Sequence, residues 1–163
     1  MTYSIDEVLT RARSQIGLKI RYALGGGTVS GTTCQDLTKA CDCSGFVLWC
    51  LGWRRRYPDE AWLKRATNGW LNTDGIWYDA MEGPHRFVTP IENRHAGALI
   101  VYPAAWMSKQ PGPKVGHIGI LTAPDRVIHC SNGNARRTGD AIQETGIEAF
   151  LAVASTCIVL PVQ

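Results

Sequence analysis

Cys43 is the residue with the clearest potential for chemistry, because an acid precedes it and an apolar run follows it. Asp42 and Ser44 are residue types that begin helices, and Gly52 is a type that ends them. The sequence therefore predicts that Cys43 lies in the first turn of a short buried helix. There the free backbone N–H groups and the positive end of the helix dipole favour a thiolate. Such a cysteine is a nucleophile if a histidine reaches it.

Two of the four histidines, His117 and His129, lie in β-branched runs that predict strands. A turn at residues 123–126 would make these strands a hairpin and bring the two rings together. In that arrangement Cys43 would attack a carbonyl carbon, His117 would take the thiol proton, and His129 would orient the His117 ring. The backbone N–H of Cys43 would donate to the oxyanion. These residues predict a cysteine hydrolase with a Cys-His-His triad.

Four stretches of the chain resemble the signatures of the NlpC-type cysteine peptidases, papain-like enzymes that cut the stem peptides of bacterial peptidoglycan. They are DCSGFV at 42–47, GHIGI at 116–120, IHCS at 128–131 and YALGG at 22–26. The order Cys, His, His and the twelve-residue interval between the histidines also match this family. The resemblance covers roughly residues 5–52 and 97–160.

The resemblance implies hydrolysis of the γ-D-glutamyl–meso-diaminopimelate bond, with no metal or organic cofactor. The implied catalytic residues are Cys43, His117, His129 and Tyr22. The hydroxyl of Tyr22 would support the oxyanion, and Asp42 and Ser44 would recognise the amino group or nearby backbone of the stem peptide. The expected partner is peptidoglycan or a muropeptide. An inhibitor or carrier protein is left open.

Other functions use the same residues differently. An amidase, or an acyltransferase acting on a lipid or an amine, would pass through the same thioester intermediate. A binding module could hold zinc through Cys41, Cys43 and histidines, although Cys-x-Cys is not a usual structural zinc spacing. A catalytically inactive structural domain is the fourth interpretation. The peptidoglycan hydrolase is the interpretation that the combined motifs favour.

The spacing of apolar residues along the chain predicts the helices and strands that would position these residues. Residues 4–17 predict an amphipathic helix that starts with a capping box from Ser4 to Glu7, and shorter helices are predicted at 59–66 and 73–81. Four β-branched runs predict antiparallel strands at 98–102, 117–121, 126–130 and 156–160. We therefore expect an α+β fold with N-terminal helices packed on a central antiparallel sheet, and the resemblance makes it the papain-like NlpC-type fold.

Two stretches between these elements bear on the site. The connection at residues 103–116 ends directly before His117 and is expected to border the active site. Residues 53–97 hold four of the six tryptophans, one of which could line a substrate groove. The chain of 163 residues predicts one domain, residues 1–163.

Composition excludes several classes of protein. Hydrophobic residues make up 45% of the chain and charged residues 19%, which indicates a globular protein. A net charge of +3 is too small to indicate nucleic-acid binding. The one basic run, at residues 54–56, is predicted to be a solvated helix end. No stretch approaches the ~20 apolar residues of a membrane span.

Residues 1–7 lack the cationic start and apolar core of a secretory signal. We therefore expect a protein that stays in the cytosol, or that reaches the cell wall through a phage or a specialised secretion system. Of the six cysteines, Cys34 and Cys41 could form a disulfide in an oxidising compartment, whereas Cys50 and Cys157 are expected to be buried core thiols.

Overall fold

The computed structural model describes residues 3–27 and 40–162, which form seven helices and eight strands. The helices are α1 (Ile5–Ser14), α2 (Cys43–Leu51), α3 (Ala61–Thr67), α4 (Thr73–Met81), α5 (Ala105–Ser108), α6 (Asn132–Thr138) and α7 (Glu148–Leu151). The strands are β1 (Arg21–Tyr22), β2 (Ala40–Cys41), β3 (Val88–Ile91), β4 (Leu99–Tyr102), β5 (His117–Ala123), β6 (Arg126–Cys130), β7 (Ile142–Gly146) and β8 (Cys157–Pro161).

Six of these strands form one antiparallel sheet in the order β3-β8-β4-β5-β6-β7, while β1 and β2 form a separate parallel pair. The protein therefore has the predicted α+β class. The four predicted strands lie in the middle of this sheet, as β8, β4, β5 and β6. The two strands that the sequence pattern missed, β3 and β7, are the edge strands. Edge strands carry polar residues and proline, so they lack the β-branched runs that signal a central strand.

The predicted helices are present, with small shifts at their ends. The capping box of α1 forms as predicted, since the Ser4 hydroxyl accepts the Glu7 N–H and the Glu7 carboxylate accepts the Ser4 N–H. The helix ends at Ser14 rather than at Gly17, whose N–H donates to the carboxylate of Asp140. Helix α4 begins at Thr73 with Asn72 as its N-cap.

The central sheet has a hydrophobic cluster on each face, because alternate residues of a strand point to opposite sides. In β4, Leu99 and Val101 belong to the larger cluster, which contains α1 and α2. The intervening Ile100 belongs to a smaller cluster that contains Phe150 of α7. Every residue of α2 is buried. A helix that is apolar all round needs cover on all sides, and α2 has it from α1, β5 and β6.

The β5–β6 hairpin turns at the predicted place, with Ile120 opposite Ile128 and an irregularity between Leu121 and Ala123. Gly119 of β5 lies beside His129 of β6. A Cβ atom added to Gly119 would collide with the Cγ2 atom of Val127 and lie 3.1 Å from the Cβ atom of His129. A side chain at position 119 would therefore compete with His129 for space.

The polar stretch at residues 28–40, whose composition predicts an exposed loop, lies outside the described residues except for Ala40, and so does Cys34, which could form a disulfide with Cys41. Within the two described ranges, no helix has both the length and the apolar composition needed to cross a bilayer.

Substituting Gly119 tests this close packing. We expect Gly119→Ala to lower the free energy of unfolding by about 1–3 kcal/mol, because the added methyl group overpacks the hairpin. A matched control is Gly133→Ala in α6, where an added Cβ meets only the Ser131 hydroxyl at 3.8 Å. We expect the control to keep or slightly raise stability. Equal urea-denaturation midpoints for the two variants would contradict the packing described for Gly119.

Candidate active site

Cys43 is the first residue of α2, as the sequence predicted, and its side chain is buried at 4% exposure. Asp42 is the N-cap residue, and its Oδ1 atom accepts the N–H of Gly45 at 2.6 Å. The turn is tight, since a Cβ atom on Gly45 would lie 2.5 Å from the carbonyl oxygen of Gly26. The start of α2 therefore packs against the glycine loop, residues 25–27.

The two predicted histidines meet on neighbouring strands, with the Nε2 atom of His117 2.7 Å from the Nδ1 atom of His129. Their hairpin was predicted, but a third ring was not. Phe150 stacks on His117 with ring centroids 5.0 Å apart and meets His129 edge-on at 5.6 Å. This apolar neighbour covers part of each imidazole.

The nucleophile lies against the strand that carries the first histidine. The backbone N–H of Ile118, the residue directly after His117, lies near enough to the Cys43 thiol to act on its pKa. Because the Nε2 atom of His117 contacts His129, the Nδ1 atom is the ring nitrogen left for the thiol. The structure thus brings the helix start and the two histidines to one place in the fold.

The surroundings of the Cys43 thiol affect its protonation differently from what the sequence pattern suggests. Burial, and then the Asp42 carboxylate, raise the pKa of Cys43 to about 12, although the N–H groups of Ile118 and Ser44 act in the opposite direction. Burial of Cys43 therefore opposes the thiolate that the helix start favours. The helix-terminal N–H groups do favour the thiolate, but loss of solvation in a buried site outweighs them.

The histidines are neutral as well. Burial, and then the neighbouring His129, lower the pKa of His117 to about 3, and burial lowers the pKa of His129 to about 4. Near neutral pH the free site therefore holds an uncharged thiol and an uncharged imidazole. Such a pair reacts by transferring the proton as the sulfur attacks.

Arg55 was missed by the sequence pattern, which predicted a solvated run at residues 54–56. The run is exposed at positions 54 and 56, but Arg55 is 4% exposed. Its Nη2 atom lies 2.9 Å from Oδ2 and 3.1 Å from Oδ1 of Asp42, and its Nη1 atom donates to the carbonyl of Gly26 at 2.6 Å. The prediction is wrong at this position because the guanidinium pairs with the buried carboxylate of Asp42, which belongs to a different segment of the chain.

The cysteine lines a cavity of about 310 Å³. Residues of the connection at 103–116 contribute to its wall, as expected, and Trp70 is the tryptophan of the middle stretch that does so. A second cavity of about 360 Å³ is lined by Tyr22, His117 and His129. Val115 and Gly116 belong to both walls. Open space therefore lies on the cysteine side and on the histidine side of this short segment.

The other predicted site residues surround the cysteine. Tyr22 is half-buried, and its pKa is raised by burial and then by the nearby Cys43. Asp42 and Ser44 line the cysteine-side cavity, but each is only 3% exposed, and the Ser44 hydroxyl donates to Asp42 at 3.1 Å. Their substrate-binding role stays a prediction.

The remaining cysteines lie in varied surroundings. Cys41 is buried, and its sulfur lies 3.5 Å from that of Cys130, with both thiols free. Cys50 is fully buried as predicted, whereas Cys157 is only partly buried because it opens β8. Across residues 3–27 and 40–162, no cluster of three or more His, Cys, Asp or Glu side chains is arranged to hold a metal ion.

The ring nitrogen of His129 that points away from His117 contacts two residues that the sequence pattern did not indicate. This Nε2 atom lies 3.0 Å from the Thr145 hydroxyl and 3.4 Å from the Asn134 amide nitrogen. Thr145 lies in the edge strand β7, where Thr145 pairs with Val127, two residues before His129. Only knowledge of that strand pairing would have placed Thr145 near the histidine.

No known family profile and no curated protein matches this chain. Among solved structures, the protein Ly7917 has a similar fold, with a TM-score of 0.53 and 16% sequence identity. The match covers 98% of this chain and 63% of Ly7917, so the chain spans less than two thirds of that protein. At this level of identity the likeness concerns the fold alone.

Removing Arg55 should show how much the protein is destabilised when the buried Asp42 carboxylate has no counter-ion. We expect Arg55→Ala to lower the free energy of unfolding by about 3 kcal/mol, because the Asp42 carboxylate would stay buried without a counter-ion. Urea denaturation measures this loss. Arg54→Ala removes an exposed guanidinium one residue away and should change stability by no more than about 0.5 kcal/mol. Similar losses for the two variants would show that the ion pair contributes no special stability.

Acid should destabilise the protein through the two histidines of the site, of which His129 is buried and His117 is partly buried. Their pKa values in the folded chain, about 3 for His117 and about 4 for His129, lie below the 6.5 of an ordinary histidine. Between these values the unfolded chain binds more protons than the folded chain, so the free energy of unfolding rises with pH across this window. We expect stability to fall on acidification from about pH 6.5 to about pH 4.

Variants separate the histidines from other acid-sensitive groups. The double variant His117→Ala/His129→Ala should lose less stability than the parent protein over the same pH range. His95→Ala, which removes an exposed imidazole, should follow the parent curve. Parallel curves for the parent and the double variant would mean that the buried histidines do not bind their protons on unfolding.

Proposed function

We propose that this protein is a cysteine endopeptidase with a papain-like, NlpC-type fold that hydrolyses peptidoglycan stem peptides. The bond proposed is that between γ-D-glutamate and meso-diaminopimelate. The observation that supports this most strongly is the 2.7 Å contact between His117 and His129 on the strand pair that covers the helix-start Cys43. The site resembles the Cys, base and orienting-residue arrangement of nucleophilic hydrolases.

The reaction begins with a neutral site. The Cys43 sulfur attacks the carbonyl carbon of the scissile amide while its proton passes to the Nδ1 atom of His117. Negative charge then develops on the carbonyl oxygen. The backbone N–H of Cys43 and the hydroxyl of Tyr22 are the donors proposed for that oxyanion.

Collapse of the oxyanion breaks the amide bond and leaves a thioester on Cys43. The His117 imidazolium gives its proton to the departing amine. A water molecule then attacks the thioester, and His117 accepts one of its protons. Cleavage of the C–S bond returns the thiol and releases the free carboxylate, so the net reaction consumes one water molecule.

The cysteine-side cavity supports a peptide substrate with both apolar and charged parts. Its wall includes three large apolar side chains that are at least half exposed: Leu24, Trp106 and Val115. It also includes a carboxylate from Asp74 and an ammonium group from Lys114. The far end of meso-diaminopimelate carries an amino group and a carboxyl group on one carbon. A wall with both charges suits such an end better than it suits a purely apolar ligand.

Delivery is part of the proposal. The enzyme acts on muropeptides in the cytosol or reaches the wall through a phage or a specialised secretion system. An amidase or acyltransferase would use the same site. Product analysis separates these functions, because they release different fragments or transfer the acyl group to an amine instead of water.

Digestion of defined muropeptides tests the function. Mass spectrometry should detect a fragment that ends in D-glutamate and a second that begins with a free meso-diaminopimelate amine. We expect Cys43→Ala to form neither product, because the substitution removes the sulfur that forms the thioester. Cys41→Ser should keep substantial activity, since the Cys41 sulfur faces Cys130.

Both variants should keep the far-ultraviolet circular dichroism of the parent. Cleavage by folded Cys43→Ala at the parent rate would exclude the mechanism. An inactive but folded Cys41→Ser protein would move the nucleophile to position 41.

A further inference from the structure

The Nε2 atom of His129, which points away from His117, faces two side chains that differ in their hydrogen-bonding capacity. The Nε2 atom lies 3.0 Å from the Oγ1 atom of Thr145 and 3.4 Å from the Nδ2 atom of Asn134. A hydroxyl oxygen can donate or accept, whereas an amide nitrogen only donates. The side chain that binds Nε2 therefore decides whether this nitrogen carries a proton.

The amide of Asn134 has a defined orientation. Its Oδ1 atom accepts a hydrogen bond from the Nη2 atom of Arg137 at 2.7 Å, so the opposite end is the nitrogen. That nitrogen lies 3.3 Å from the carbonyl oxygen of His129 and 3.2 Å from that of Ala141. Each carbonyl accepts one of its two hydrogens. The amide is therefore satisfied without donating to the ring of His129.

The hydroxyl of Thr145 is oriented in a similar way. It lies 3.0 Å from the carbonyl oxygen of Gly146, which accepts its single hydrogen. Its lone pairs remain for the ring, so His129 donates from Nε2–H to Thr145. A neutral imidazole carries one ring proton. The Nδ1 atom of His129 is therefore an acceptor.

This assignment fixes the proton on the catalytic histidine. The Nδ1 atom of His129 accepts the N–H of His117 at the 2.7 Å contact, so the proton of His117 is on Nε2. The Nδ1 atom of His117 then has a free lone pair. Only in this tautomer can the ring of His117 take a proton from the thiol of Cys43.

We propose that Thr145 is a positioning residue that fixes the tautomers of His129 and His117, keeping the Nδ1 atom of His117 basic. The effect on turnover rests on the proposed cysteine-hydrolase function, whereas the tautomers themselves do not. Without the hydroxyl, the Nε2–H of His129 loses its acceptor, because the nearest remaining side-chain atom, the amide nitrogen of Asn134, cannot accept. The proton of His129 then moves to Nδ1, and that of His117 moves to Nδ1 as well, where it blocks the base.

Two substitutions separate the hydroxyl from the shape of the side chain. Thr145→Val keeps the branched volume and removes the hydroxyl, and Thr145→Ser keeps the hydroxyl. We expect kcat to fall by about a hundredfold in Thr145→Val, the lower range of what a positioned general base contributes. Thr145→Ser should keep kcat within a few fold of the parent value.

A matched control is Thr122→Val, because the hydroxyl of Thr122 in strand β5 bonds Glu144 and not the histidines. It should leave kcat unchanged. Equal kcat in Thr145→Val and Thr122→Val would overturn the role of Thr145 in turnover.

Nuclear magnetic resonance reads the tautomers without any turnover. Two-bond ¹H–¹⁵N correlation spectra of the ¹⁵N-labelled Cys43→Ala protein should show both His117 and His129 protonated on Nε2. Adding Thr145→Val should move the proton of His129 to Nδ1, and adding Thr145→Ser should not. A Cys43→Ala protein with the His129 proton on Nδ1 would overturn the proposal, whatever the enzyme's activity. Correct tautomers in a parent protein that cleaves no muropeptide would instead contradict only the proposed function.

Discussion

The buried carboxylate of Asp42 is the interaction on which the candidate site depends. It accepts the N–H of Gly45 at the start of α2, the N–H of Gly25 in the glycine loop, and both contacts of the Arg55 guanidinium. A buried charge persists only when it is paired and hydrogen-bonded. These partners come from three separate parts of the chain, so the carboxylate joins them where the helix begins. The position of Cys43 follows directly, because it is the next residue.

The same carboxylate works against ionisation of the residue that it positions. Burial is the main reason why the pKa of Cys43 is raised, and the adjacent Asp42 adds to it. The ring of His117 packs against Phe150 and His129, and burial and then the neighbouring His129 lower its pKa. A site built in this way holds no thiolate–imidazolium pair while it is empty. Its reactivity depends on hydrogen-bond geometry, which is why a hydroxyl on the edge strand β7 matters for a thiol on α2.

Sequence patterns predicted the parts of this site that local signals determine. The helix start at Cys43 follows from its two neighbours, and the hairpin follows from a turn of four residues at 123–126. The parts that the sequence did not reveal depend on contacts between distant segments. Arg55 looks like one of three solvated arginines until its carboxylate partner is known, and Thr145 lies in a polar edge strand without a strand signature. The opposing effect of burial on the pKa of Cys43 was missed for the same reason, since a helix dipole is local and burial is not.

The rate of Cys43 alkylation as a function of pH tests the central claim, a neutral thiol beside a neutral imidazole, most directly. Iodoacetamide reacts with thiolates, so its second-order rate constant reports the ionised fraction of the cysteine. With the parent protein, we predict a rate that stays low through neutral pH and rises only in the alkaline range, as the raised pKa of Cys43 requires. The Cys43→Ala protein supplies the background from the other thiols. A fast rate that is already constant from acidic to neutral pH would show a resting thiolate–imidazolium pair and contradict the account.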